Sequence, residues 1–205
     1  MKSKSNISWK KAQDFLTKDK YIGFLVKKWG DCPVKPIKKS LYFEDLIDAI
    51  TSQQLSGKAA KTIFNRIKES VGGNLIPESI LVKDDQTLRD CGLSWSKVKY
   101  VKDLAERVKE GKLKINNLDK LPDEEVIRQL TEVKGIGRWT AEMFLMFSLG
   151  RSDIFPVDDL GIKKGFEKVT GKAWNKVKSA KFAEKNWKPF RTIASWYLWR
   201  SLENR

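Results

Sequence analysis

The chain has 205 residues, with 41 Lys and Arg against 26 Asp and Glu, a formal net charge of +15 and no histidine. That length supports one large or two small domains with an ample core, and the cationic excess points to a polyanionic partner, nucleic acid before a membrane surface. Without histidine, Ser-His-Asp triads and zincin-type sites are excluded, and Cys32 and Cys91 lack the CxxC spacing of a cysteine-held iron–sulfur cluster or a disulfide framework. No segment reaches the ~20 apolar residues of a membrane span. The opening residues MKSKSNISWKK lack the apolar core of a signal peptide, so a cytoplasmic protein (nucleoid-associated or nuclear, according to the host) is expected.

Helical periodicity dominates. Phe15, Leu16, Ile22, Phe24 and Leu25 predict two short helices across residues 8–29, followed by a Pro- and Lys-rich extended connector over 31–40. Phe43, Leu46, Ile47 and Ile50 share one helical face, which breaks at Ser52-Gln53-Gln54-Leu55-Ser56. Helix resumes with Ala59, Ala60, Ile63, Phe64 and Ile67, Ser56 standing as N-cap, and stops at Gly72-Gly73. Two short helices are predicted over 77–82 and 85–91. Ser94 caps a longer one whose stripe is Val98, Val101, Leu104, Ala105 and Val108. Val126, Ile127 and Leu130 mark the next, and further helices are predicted over 138–149, 160–169, 179–186 and 189–202, with Pro189 as a first helical residue. The chain is therefore expected to be all-α, with about ten helices.

Between two of these patterns lies Val133-Lys134-Gly135-Ile136-Gly137. Glycines there allow a tight hairpin whose backbone N–H groups can approach a phosphate, aided by the following helix N-terminus and by the charges of Lys134 and Arg138. An ordinary helix–turn–helix corner needing glycines would look the same. About twenty residues on, Pro156-Val157-Asp158-Asp159 puts carboxylates at a helix start, where Asp is a favoured N-cap. A carboxylate in that position is a fixed negative charge more than a strong base.

The stretch LTEVKGIGRWTAEMFLMFSLGRSDIFPVDDLGIKKGF resembles the helix-hairpin-helix plus Gly/Pro-Asp signature of the DNA glycosylase superfamily. The resemblance extends to FEDLIDAITSQQLSGKAAKTIFNRI, to LRDCGLSWSKVKYVKDLA and to WKPFRTIASWYLWR, covering most of residues 41–202. It is greatest for the 3-methyladenine DNA glycosylase II (alkylpurine) branch, without that branch's extra N-terminal β-rich domain. Most members carry proline where this chain has Lys134.

The resemblance implies two helical domains with a DNA-binding and active-site cleft between them: residues 40–148 as a helical barrel containing the hairpin, and 1–39 with 149–205 as the second. It implies monofunctional hydrolysis of the N-glycosidic bond in base excision repair, because Trp139 stands where strand-cleaving members carry a Schiff-base lysine. Asp159 is the implied catalytic residue, matched through Ile162 and Lys164. Asp158 is then a neighbour, a cap or a supporting group. Trp139, Met143 and Trp199 are implied as pocket walls, Met143 replacing the family's tyrosine, whereas Trp187 and Trp196 are read as core. Gln54, with Leu55 as runner-up, would fill the gap left by a flipped nucleotide; the competing view is a polar turn with Leu55 in the core. DNA contacts are implied at Val133, Lys134, Gly135, Ile136, Gly137, Arg138 and Thr140, and at Gln53, Leu55, Ser56 and Lys58. No organic cofactor and no metal centre are implied, apart from a monovalent cation on hairpin carbonyls. The expected partner is double-stranded DNA with damaged bases, bound by a monomer. Two alternatives share these features: a glycosylase for other damaged or mismatched bases, and a non-catalytic helix-hairpin-helix DNA-binding protein.

Overall fold

A computed structural model describes residues 9–203. The described residues form helices and connecting turns, without strands, and no helix among them is long and apolar enough to cross a membrane. The chain divides into two compact units, residues 37–144 and residues 1–36 with 145–205.

The continuous unit holds α3 (Tyr42–Ser52), α4 (Gly57–Ser70), α5 (Pro77–Leu81), α6 (Asp85–Asp90), α7 (Trp95–Lys109), α8 (Asp123–Thr131) and α9 (Arg138–Met143). Side-chain caps start α4, α6 and α7: Ser56 Oγ accepts from Ala59 N at 3.4 Å, Asp84 Oδ1 from Thr87 N at 2.7 Å, and Ser94 Oγ from Lys97 N at 3.2 Å. The stripe Val98, Val101, Leu104 and Ala105 buries one side of α7, which packs on α3, α5 and α6. Short 3₁₀ turns at Lys39–Leu41 and Ile115–Lys120 lie outside the sequence expectations; the first overlaps the end of the connector taken as extended.

The split unit contains α1 (Trp9–Leu16), α2 (Gly23–Trp29), α10 (Leu160–Thr170), α11 (Lys176–Trp187) and α12 (Arg191–Arg200). The centre is α12: Thr192 through Leu198 are all buried, so this helix is enclosed on every side, with α1, α2, α10 and α11 packed around it. Trp187, fully buried, meets Phe182 and Phe166 edge-on at ring-centroid distances of 5.5 and 6.1 Å. The Tyr197 hydroxyl donates to the Gly30 carbonyl at 2.7 Å, fastening α12 to the end of α2. Trp187 and Trp196 are core, as expected from the sequence.

Three helix boundaries differ from the sequence expectation. The helix predicted over 138–149 is α only to Met143 and continues as a π turn, Phe144–Ser148. α11 begins at Lys176, because the Asn175 carboxamide oxygen caps Lys178 N at 2.9 Å. Pro189 is not a first helical residue: it follows a cis peptide bond, and α12 starts at Arg191. That start is fixed from outside the helix, since the Arg191 guanidinium grips Asp153 through Nε–Oδ1 at 2.7 Å and Nη2–Oδ2 at 3.0 Å.

α10 and α12 approach closely at Gly165, where an added Cβ would stand 2.5 Å from the Leu198 carbonyl oxygen. Gly165→Ala is expected to destabilise the protein by ~1–3 kcal/mol through this overpacking, measured as a lower denaturation midpoint with an unchanged slope.

Candidate active site and nucleic-acid interface

The hairpin sits between α8 and α9 and is built around a buried pair. Val133 and Ile136 point inward, and Ile136 N donates to Val133 O at 3.1 Å to close the turn. Any contact that these two residues make with a ligand must therefore come from their backbone. Gly135 has φ +81°, and an added Cβ would lie 2.2 Å from the Tyr100 ring. Only glycine fits there, on both backbone and steric grounds. The amides of Gly135 and Gly137 have no acceptor among the described residues and stand at the entry to α9.

Lys134 stands where most members of the family that the sequence resembles carry proline. Its backbone N–H, which proline would lack, donates to Asp103 Oδ2 at 2.9 Å, and its ammonium lies 3.5 Å from Asp103 Oδ1. Asp103 also accepts from Arg107 Nε at 3.0 Å. Burial pushes the Asp103 carboxyl up, but the Lys134 amide, the Arg107 hydrogen bond and the two nearby cations together outweigh it and hold the group below its usual range. The hairpin is thus fastened to α7 through a backbone N–H that proline lacks.

Arg138, expected to contact DNA, is engaged by carboxylates. Its guanidinium is held by Glu124 at 2.7 and 3.1 Å and by the buried Glu142 at 3.1 Å, so its charge is offset by two carboxylates. Glu142 lies one turn on from Arg138 in α9, while Glu124 comes from α8, outside the quoted signature. Thr140 is also mostly buried, at 7% exposure. Two hairpin carbonyls already accept protein donors: Val133 O from Ile136, and Gly135 O from Gln53 Nε2 at 2.8 Å. A monovalent cation would have to share them, and no step below is routed through one.

The loop between α3 and α4 lies beside the hairpin. Gln54 has φ +57°, unique among the described non-glycine residues. Leu55 is 41% exposed, which removes the view of this loop as a polar turn with Leu55 in the core. Gln53, Gln54, Lys97, Tyr100, Gly137 and Trp139 line a concavity of about 590 Å³. Trp139, 45% exposed, and Met143 are four residues apart on α9 and so share a face. Lys58 and the Ser56 cap are exposed at the start of α4.

The aspartates lie in the split unit and have separate functions. Asp158 makes a surface ion pair with Lys176 at 2.6 Å. Asp159 caps α10: its Oδ1 accepts from Ile162 N at 2.7 Å and from Trp199 Nε1 at 2.8 Å. Trp199, expected as a pocket wall, is thus a hydrogen-bond donor to this carboxylate, and its ring lies 6.0 Å from that of Phe147. Gly161 makes room for this contact; an added Cβ would stand 2.7 Å from Trp199 Cδ1 and 3.0 Å from Asp159 Oδ1.

With this geometry in place, the family is clear: residues 47–191 match the HhH-GPD superfamily of base excision DNA repair proteins, and the chain belongs to it. It is similar to DNA-3-methyladenine glycosylase 1 of Schizosaccharomyces pombe, 42% identical over 184 residues, spanning 86% of this chain and 80% of that one. The structure of an S. pombe 3-methyladenine DNA glycosylase in complex with abasic DNA superposes with a TM-score of 0.80 at 41% identity, covering 93% of this chain and 96% of that one. A DNA-3-methyladenine glycosidase from Bacillus halodurans superposes with a TM-score of 0.81 at 34% identity, covering 96% and 90%.

Gly161→Ala is expected to push the Trp199 indole off Asp159. In a ¹H–¹⁵N spectrum the Trp199 Nε1–H resonance should move and exchange faster with solvent, with the Trp187 indole signal unmoved. An unchanged Trp199 signal would contradict the packing described for Gly161.

Proposed function

We propose that the chain is a monofunctional DNA glycosylase that excises alkylated purines of the 3-methyladenine and 7-methylguanine type from duplex DNA. The observation that carries this reading is the Asp159 carboxylate, fixed at the start of α10 by the Ile162 amide and the Trp199 indole. The relatives at 42% and 34% identity, which are 3-methyladenine glycosylases by name, support the same substrate class.

Breaking the bond between the sugar C1′ and the base nitrogen sends the electron pair out with the base and leaves an oxocarbenium-like cation on the sugar. An anion already held in position stabilises that cation without reorganising in the transition state. Water then adds at C1′ and releases a proton to solvent. A base methylated at N3 or N7 carries a positive charge, departs neutral, and needs no general acid. This fits a chain without histidine. Trp139 offers an electron-rich face for a flipped cationic purine, a contact contributing ~0.5–2 kcal/mol, with Met143 beside it as a softer wall, and Trp199 offers such a face in the split unit.

The DNA is held through the Gly135 and Gly137 amides and the Lys134 side chain, contacts that position the backbone without reading its sequence. Lys58, Ser56 and Gln53 extend the hold, and Gln54 fills the space that the flipped nucleotide vacates. With Trp139 in place of the lyase lysine, the abasic strand is left intact.

Asp159→Asn tests the assignment. Under single-turnover conditions with a 7-methylguanine duplex, base release is expected to fall ~100-fold or more, with duplex affinity unchanged and the strand uncut before alkali. Undiminished release by this variant would remove Asp159 from the reaction.

A further inference from the structure

One side of α7 carries four residues at helical spacing, Lys97, Tyr100, Asp103 and Arg107, which the apolar stripe does not use. Each reaches one of the two DNA-directed segments or supports a residue that does. At the start of this row, Lys97 Nζ donates to Thr51 O and to Gln53 O, both at 2.7 Å. These carbonyls close the C-terminus of α3, where a cation is favoured. The Tyr100 ring packs against Gly135, and Asp103, backed by Arg107, holds the Lys134 amide. A cross-tie completes the arrangement, because Gln53 Nε2 donates to the Gly135 carbonyl at 2.8 Å.

Between these anchors stands Gln54, held at φ +57° in a left-handed conformation that side chains rarely adopt. Such backbone persists only where its surroundings over-determine it. Here the preceding carbonyls are fixed by Lys97, and the following residues by the Leu55 N to Ser52 O bond at 3.1 Å and the Ser56 cap. Burial holds the Lys97 ammonium below its ordinary range, as befits a cation turned toward protein carbonyls rather than solvent.

We infer that Lys97 is a positioning residue: through α7 it fixes the gap-filling loop in register with the hairpin and keeps Gln54 preset for insertion into the duplex. It touches no substrate and contributes by reducing the ordering that insertion would otherwise require. The inference rests on the proposed role of Gln54.

The test uses the full chain and a duplex with 2-aminopurine next to a stable abasic analogue, whose fluorescence reports unstacking. Lys97→Met, which keeps the stem and removes the charge, is expected to lower the unstacking signal and the lesion-over-undamaged affinity ratio ~10-fold, the loss of one charge-assisted anchor. Its affinity for undamaged duplex and its circular dichroism should match wild type, and Lys97→Arg, able to donate to both carbonyls, should recover most of the signal. Gln53→Leu, which removes the cross-tie together with the proposed Gln53 contact to DNA, should weaken binding to both duplexes and also lower the same ratio, in a protein that keeps the Lys97 bonds. Equal losses on lesion and undamaged duplex by Lys97→Met would overturn the positioning role. So would normal unstacking by Lys97→Met and Gln53→Leu beside an impaired Gln54→Ala. Normal unstacking by Gln54→Ala would overturn the gap-filling reading itself, and the inference with it.

Discussion

One carboxylate oxygen ties two helices of the split unit together. Asp159 Oδ1 accepts from the Ile162 amide and from the Trp199 indole, so a single atom caps α10 and joins it to the end of α12. Two donors on one oxygen confine the carboxylate far more than a cap alone, and a hydrogen bond to a charged group contributes ~1.5–3 kcal/mol. The surroundings serve that contact. Gly161 leaves space for the indole, Gly165 lets the two helices approach, and the buried run Thr192 to Leu198 anchors the helix that carries Trp199. Stability and proposed catalysis thus draw on the same bond.

In the continuous unit the constraint is distributed along α7. The hairpin and the α3–α4 loop are both irregular backbone, the class of structure most prone to motion. Polar side chains of one helix tie them down: Lys97 on one segment, Asp103 on the other, and Tyr100 beneath the glycine between. Lys134 shows how the arrangement accommodates a departure from the family. Losing proline removes a fixed φ but restores an N–H, and Asp103 accepts it. Arg138 shows the opposite effect, a conspicuous cation whose charge is balanced by Glu124 and Glu142.

Much of the helical framework was legible in sequence because its signals are local. Period-3.6 stripes identified α3, α4 and α7, and Ser56 and Ser94 cap where their spacing from the apolar run predicts. Boundaries set by distant partners were not legible. α12 starts where Asp153 holds Arg191, 38 residues away in sequence, and proline rules misplace it. The π turn after Met143 has no sequence signature of its own. At the site, Asp159 as a cap follows from its position before α10, whereas its bond to Trp199 spans 40 residues and leaves only the glycine at 161 as a trace. The polar row on α7 was not picked out in sequence, since nothing local shows that carbonyls of other segments face Lys97.

The central claim is that a fixed carboxylate and electron-rich walls, with no general acid, suffice to release a base that already carries positive charge. The most direct measurement is chromatography of the free bases liberated when the protein is incubated with methylated duplex DNA and, in parallel, with hypoxanthine-containing duplex. The account predicts rapid appearance of 3-methyladenine and 7-methylguanine and slower release of hypoxanthine. Absence of any free base, or hypoxanthine released as fast as the methylated purines, would contradict it.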